Sequence, residues 1–96
     1  MAQVSYSDQA LANLEYISDF LSDNGSDAIE ALDLIDEAIA ILARHPMIGR
    51  LVESGMRELV ISRSKTGYVA LYDYDPTHDA ILVLAIRHQR EAGFKR

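Results

Sequence analysis

Ile81-Leu82-Val83-Leu84-Ala85-Ile86 runs straight into Arg87-His88-Gln89-Arg90-Glu91. Six apolar residues in a row, too short for a helix and rich in branched side chains, read as a strand buried on both faces. The run then turns charged at once. A buried strand ending in such a cluster holds two guanidiniums and a titratable imidazole on a rigid scaffold, which is how many sites are built. The plainer reading is a solvated strand end.

Reading upstream from that strand, Asp75-Pro76-Thr77-His78-Asp79 is a turn. Before it, Tyr68, Ala70, Tyr72 and Tyr74 alternate with Val69, Leu71 and Asp73, a period of two. Ser64-Lys65-Thr66-Gly67 is a hairpin turn. Before that, Arg57, Leu59, Ile61 and Arg63 alternate with Met56, Glu58, Val60 and Ser62. Three strands joined by two tight turns make an antiparallel meander over about residues 56–88.

Upstream of Gly55 the period is helical. Ala28, Leu32, Ile35, Ile39 and Leu42 form one stripe, with Ala31 and Ala38 filling it. Leu34 and Ile41 lie one heptad apart at its margin. Such a wide apolar arc needs two neighbours. Pro46 ends this helix, because the residue before a proline disfavours helical dihedrals. An earlier helix carries Ala10, Leu14, Ile17 and Leu21, with Tyr16 and Phe20 as a second line at i and i+4. Ser7 or Asp8 caps its start. Asp23-Asn24-Gly25-Ser26 stops it, with Gly25 suited to a left-handed position, and Asp27 with Glu30 resembles a capping box. The short connection predicts an antiparallel helical hairpin over about 8–45. Gln3 to Tyr6 is a short strand. The expected architecture is a single α+β domain spanning 1–96, with an antiparallel sheet (a short N-terminal strand plus a three-stranded C-terminal meander) packed against an N-terminal helical hairpin.

Composition narrows the function. The chain has 96 residues, an apolar fraction of 49% and no cysteine. That is enough for one core, and it excludes a disulfide framework and thiolate chemistry. No apolar stretch approaches the ~20 residues of a membrane span, and the N-terminus lacks the pattern of a signal peptide. The expected location is the cytoplasm. Net charge is −6, unevenly spread. Residues 1–43 hold nine Asp and Glu and no Lys or Arg, whereas residues 44–96 hold nine Lys and Arg against six acids. A generic nucleic-acid binder would need more cations, though a local basic face remains open.

Metal and nucleotide signatures are missing. His45, His78 and His88 are scattered, with no cysteine and no helical His pair, so no metal and no cofactor is expected. No phosphate loop or nucleophile elbow occurs. His45 sits at a helix end, where it interacts favourably with the C-terminal carbonyls, and His78 falls in a turn. A second constellation, Pro46-Met47-Ile48-Gly49-Arg50 then Arg57-Glu58-Leu59, leads out of the hairpin. There Pro46 stops the helix and Gly49 permits an unusual backbone turn. The arginines that follow, Arg50 and Arg57, enter the basic side of the fold.

Taken together, the short strand, the acidic hairpin, the Pro46…Gly49-Arg50 exit, Arg57-Glu58-Leu59, Gly67-Tyr68-Val69-Ala70-Leu71-Tyr72 and the final Ile86-Arg87-His88-Gln89-Arg90-Glu91 resemble the RelE/ParE superfamily of toxins from type II toxin–antitoxin modules. The resemblance covers nearly the whole chain and implies that fold. It implies one of two activities. ParE-type toxins bind DNA gyrase, trap its cleaved complex and stop replication without chemistry of their own. RelE-type toxins are ribosome-dependent, metal-independent endoribonucleases that cut mRNA. RNA cleavage needs a base, an acid and cations for the phosphorane, and His88, Arg57, Arg63 and Arg87 are the candidates in this chain. Phe94, where endonuclease members often carry a tyrosine, has no hydroxyl. Only Lys65 and Lys95 stand for the Lys-rich stretch of some members, and the charge is acidic. These departures favour the ParE branch.

On that reading Arg57, Arg87, His88 and Arg90 are the candidates for contact with gyrase. Their alternative is pairing with Glu58 and Glu91 at a sheet end. The resemblance further implies a cognate antitoxin, wrapped along the hairpin and sheet, with Tyr16, Phe20, Leu34 and Ile41 as the apolar contacts or as ordinary core. A homodimer or a toxin–antitoxin hetero-oligomer would follow. A non-toxic binding module of the same fold is the remaining alternative.

Overall fold

The computed structural model describes residues 1–23, 25, 28–63 and 66–88, with the side chains of residues 62, 63 and 66 not described. The elements run β1 (Gln3–Tyr6), α1 (Asp8–Asp23), α2 (Ala28–Arg44), β2 (Arg50–Leu51), a 3-10 turn (Glu53–Gly55), β3 (Arg57–Arg63), β4 (Thr66–Asp75) and β5 (Ala80–His88). The expected cap at Asp27 and the residues Ser64, Lys65, Arg90, Glu91, Phe94 and Lys95 lie outside the described residues. No helix among the described residues is long and apolar enough to cross a membrane.

The five strands form one sheet in the order β1-β5-β4-β3-β2. The meander is antiparallel throughout, as its two tight turns predict. β1 joins β5 in parallel, Gln3 opposite Ala80 and Tyr6 opposite Val83. That places β5 between two strands, but the expectation of burial on both faces is corrected: Ile81, Val83 and Ile86 are buried under the helices, whereas Leu82, on the other face, is 40% exposed. β2 adds a strand the sequence does not announce, since two residues are too few to show alternation.

The core gathers from both layers. Ala10 and Ile17 of α1 and Ala31, Ile35, Ile39 and Leu42 of α2 meet Ile61, Tyr68, Ala70, Tyr72, Ile81, Val83 and Ile86 of the sheet. Each set follows its element's own period, 3.6 for the helices and two for the strands, except that Val83 and Ile86 of β5 stand three apart. Full burial of a side chain such as Leu42 contributes roughly 2–3 kcal/mol by transfer alone.

A bulge locks α1 to the sheet. The β4–β5 register shifts between Leu71 (opposite Ala85) and Tyr72 (opposite Val83), leaving Leu84 without a partner on β4. Ser7 donates its hydroxyl proton to the Leu84 carbonyl at 2.9 Å and accepts the Ala10 N–H at 3.0 Å. One hydroxyl thus caps α1 and satisfies the bulge, so the cap is Ser7 rather than Asp8. One turn on, Asn13 Oδ1 accepts the Ile86 N–H at 3.0 Å. Gly25 has φ 71°, the left-handed conformation expected at the helix exit.

Candidate functional site

Pairing register assigns each candidate to a face of the sheet, because directly opposed residues share a face and neighbours along a strand alternate. Arg57 opposes the buried Tyr72, and Tyr72 opposes Val83. Ile61 opposes Tyr68, which opposes His88. Arg57 and His88 therefore both start from the helix-covered face, but four residues of β4 separate their rows, roughly 13 Å along the strands. Arg87 opposes Val69, which opposes Val60, on the outer face. Arg87 and His88, adjacent in sequence, point to opposite sides of the sheet. Arg63 is the last residue of β3, opposite Thr66, and its side chain is not described.

Each candidate has a distinct environment. The Arg57 guanidinium donates to the Gly49 carbonyl at 2.8 Å and to the Met47 carbonyl at 3.3 Å. It holds the chain that leaves α2. His88 sets its ring against Tyr68, edge to face, with centroids 5.5 Å apart and planes at 79°. Arg87 is exposed and has no partner among the described residues. Glu58, the partner the sequence offers these arginines, pairs across the strands with Arg50 at 2.8 Å instead.

Tyr72 completes the clamp on the α2 exit, a role that sequence reasoning missed. Its hydroxyl donates to the Pro46 carbonyl at 2.7 Å and accepts the Gly49 N–H at 2.9 Å. Burial first, opposed by the Gly49 bond and the Arg57 charge, keeps this phenol above its ordinary pKa. Gly49 is required by contact, not by backbone conformation. It lacks the positive φ found at Gly25 and Gly55, but a Cβ there would lie 2.6 Å from Tyr72 Oη and 2.8 Å from the Glu58 carbonyl oxygen. The expectation of an unusual turn at Gly49 is corrected accordingly. The inward phase of Tyr72 was readable from β4, but its target was not.

Tyr68, 1% exposed, keeps its hydroxyl buried with no hydrogen-bond partner among the described residues. Burial pushes its pKa upward. His78 is a turn residue, bonded through Nδ1 to Asp75 at 2.6 Å, and this bond holds the Asp75 carboxyl below the usual range. No group of three or more metal-ligating side chains occurs among the described residues.

The apolar candidates on the hairpin divide. Tyr16 and Phe20 are 57% and 52% exposed and stack with centroids 6.3 Å apart. With Asn13 they form an i, i+3, i+7 stripe, and Asn13 reaches β5, so the stripe overlooks the end of the last strand. Leu34 is half-buried and packs against the core, whereas Ile41 is exposed.

Comparison with known proteins places this geometry. Toxin RelE3 of Caulobacter vibrioides is 41% identical over 66 residues, covering 69% of this chain and 70% of that protein. Among solved structures, the chromosomal ParDE toxin–antitoxin system of P. aeruginosa superposes with TM-score 0.69 at 23% identity, over 92% of this chain and 96% of that one. The RelBE2 toxin–antitoxin complex of Mycobacterium tuberculosis gives TM-score 0.65 at 20% identity, over 92% and 98%. At such identities these two speak to the fold alone, and the fold is the α+β one described above. The family profile described as "ParE toxin of type II toxin-antitoxin system, parDE" matches residues 4–93, so the chain belongs to the ParE toxin family of type II toxin–antitoxin systems.

Proposed function

We propose that this chain stops replication by binding DNA gyrase and is held inactive by a cognate antitoxin. The observation that carries the reading is the division of the candidate cations. Arg87 stands exposed on the outer face beside Val60 and Val69, Arg57 is committed to the loop carbonyls, and His88 packs on Tyr68. Such a layout supports docking of a surface more than in-line phosphoryl chemistry, which needs acid, base and cations around one reacting atom. The exposed Tyr16–Phe20 stripe supports an antitoxin contact, and two of the structures with which the chain shares its fold are toxin–antitoxin systems. Antitoxin binding would act by occupancy, a disordered tail folding onto the toxin and excluding the target.

Controlled expression without antitoxin, followed by pulse labels for DNA and for protein synthesis, tests the reading. DNA synthesis failing first, with supercoiling by purified gyrase inhibited, is the expected result. Protein synthesis failing first, with transcripts cut, would reject it. That second outcome belongs to a RelE-like endoribonuclease, a reading favoured by the 41% identity to a protein named Toxin RelE3. In that case His88→Ala should abolish cleavage. Unaffected growth with folded protein present would leave a binding module of the same fold.

A further inference from the structure

A groove of ≈ 310 Å³ opens between the two helices and the end of β1, lined by Tyr6, Leu14, Leu32, Asp33, Ile35 and Asp36. We infer that it seats a lysine or arginine side chain of the antitoxin, so that the segment docking on the hairpin is cationic. The inference rests on the antitoxin reading above and deepens it.

The groove has two chemically different parts. Leu14, Leu32 and Ile35 give apolar walls that suit the aliphatic stem of a long basic side chain. Asp33 and Asp36, at i and i+3 on α2, put two exposed carboxylates over one rim. Neither has an ion-pair partner among the described residues. Their own half of the chain cannot supply one, since no Lys or Arg precedes Arg44. Burial, and then the Asp36 charge, holds the Tyr6 phenol above its ordinary pKa, so it lines the groove as a neutral hydroxyl.

This chemistry selects the occupant. A divalent cation wants several oxygen ligands and keeps its water, which three apolar walls do not serve. An acidic segment would meet a stretch, residues 1–43, that holds nine Asp and Glu and no Lys or Arg, and be repelled. A stem ending in an ammonium or guanidinium matches walls and rim together.

The experiment uses the chain in complex with the antitoxin encoded beside it, with dissociation constants measured at low and at 1 M salt. Asp33→Asn with Asp36→Asn should weaken binding at least tenfold at low salt, and the difference should vanish at 1 M. Glu37→Gln, which removes an exposed charge from the same helix outside the groove, should stay within twofold. Alanine scanning of the antitoxin's lysines and arginines should find one position whose loss makes the toxin double variant silent. Thermal melts of the free variants, expected unchanged, show that folding is not the cause. Affinity within twofold of wild type, a loss matched by Glu37→Gln, or a loss that persists at 1 M salt would each overturn the inference. Failure of the wild-type chain to bind antitoxin at all would overturn the parent reading with it, and that is seen before any variant is made.

Discussion

The Tyr72 hydroxyl accepts the Gly49 N–H across 23 positions of sequence, at 2.9 Å. Through it, the middle of β4 fixes the path of the chain leaving α2. Tyr72→Phe keeps the packing but strands the Gly49 N–H and the Pro46 carbonyl. The expected cost is about 1–3 kcal/mol by urea unfolding, with faster hydrogen exchange at Gly49. An unchanged midpoint and unchanged exchange would show that the hydroxyl does not clamp the loop.

Gly49→Ala forces a Cβ against both Tyr72 and the Glu58 carbonyl oxygen. Overpacking of this kind costs about 1–3 kcal/mol. Adding Tyr72→Phe should not rescue it, because the backbone oxygen at 2.8 Å remains. Full rescue by the second change would assign the strain to the hydroxyl alone.

Arg57 and Arg87 separate in one pair of measurements. Arg57→Ala loses two bonds to loop carbonyls, and stability should fall by about 1–3 kcal/mol. Arg87→Ala, exposed and without a partner among the described residues, should leave stability within about 0.5 kcal/mol and, on the proposed gyrase reading, weaken inhibition. The reverse assignment, a stable Arg57 variant and an unstable Arg87 variant, would contradict the two environments described above.

Ser7→Ala removes both the helix cap and the donor to the Leu84 carbonyl, an expected loss of about 1–2 kcal/mol. Asn13→Ala strands the Ile86 N–H. Because both act on the same stretch of β5, their effects should not add in a double-mutant cycle. Strict additivity would show that the two contacts are independent.

Alkaline pH should unfold the protein. Tyr68 and Tyr72 are 1% and 0% exposed, and burial raises both pKa values in the folded state. A raised folded value means a contribution that is complete below the unfolded pKa, about 10 for tyrosine, and is lost as pH rises through the folded one. Tyrosinate absorbance and circular dichroism should therefore change together above about pH 10. Tyrosinate formation at all five tyrosines without loss of ellipticity would refute the coupling.

Much of this was readable beforehand. The meander follows from alternation in residues 57–75, the hairpin from its 3.6 period and from Pro46, and the family from the order of weak motifs. The parallel pairing of β1 with β5 was not readable, because four residues carry no mark of their partner. Nor was the bulge at Leu84, since a run apolar on both faces hides a shift of register. The site was read less well than the fold. Arg87, His88 and Arg90 looked like one cluster because they are near in sequence, yet the pleat sends Arg87 and His88 to opposite faces. Arg90 lies outside the described residues. The charge of Arg57 is visible in a sequence, whereas the two backbone carbonyls it bonds are not.

The parallel pairing also governs when the protein can exist. Residues 3–6 take their sheet partner from residues 80–83, and β5, which joins β1 to the rest of the sheet, comes after every other described element in the chain. The helices can form earlier, but the surface that buries Ala10 and Ile17 arrives only with β5. Long-range pairing of this sort is late and slow. The fold is therefore incomplete until β5 has been made and has closed against both β1 and α1.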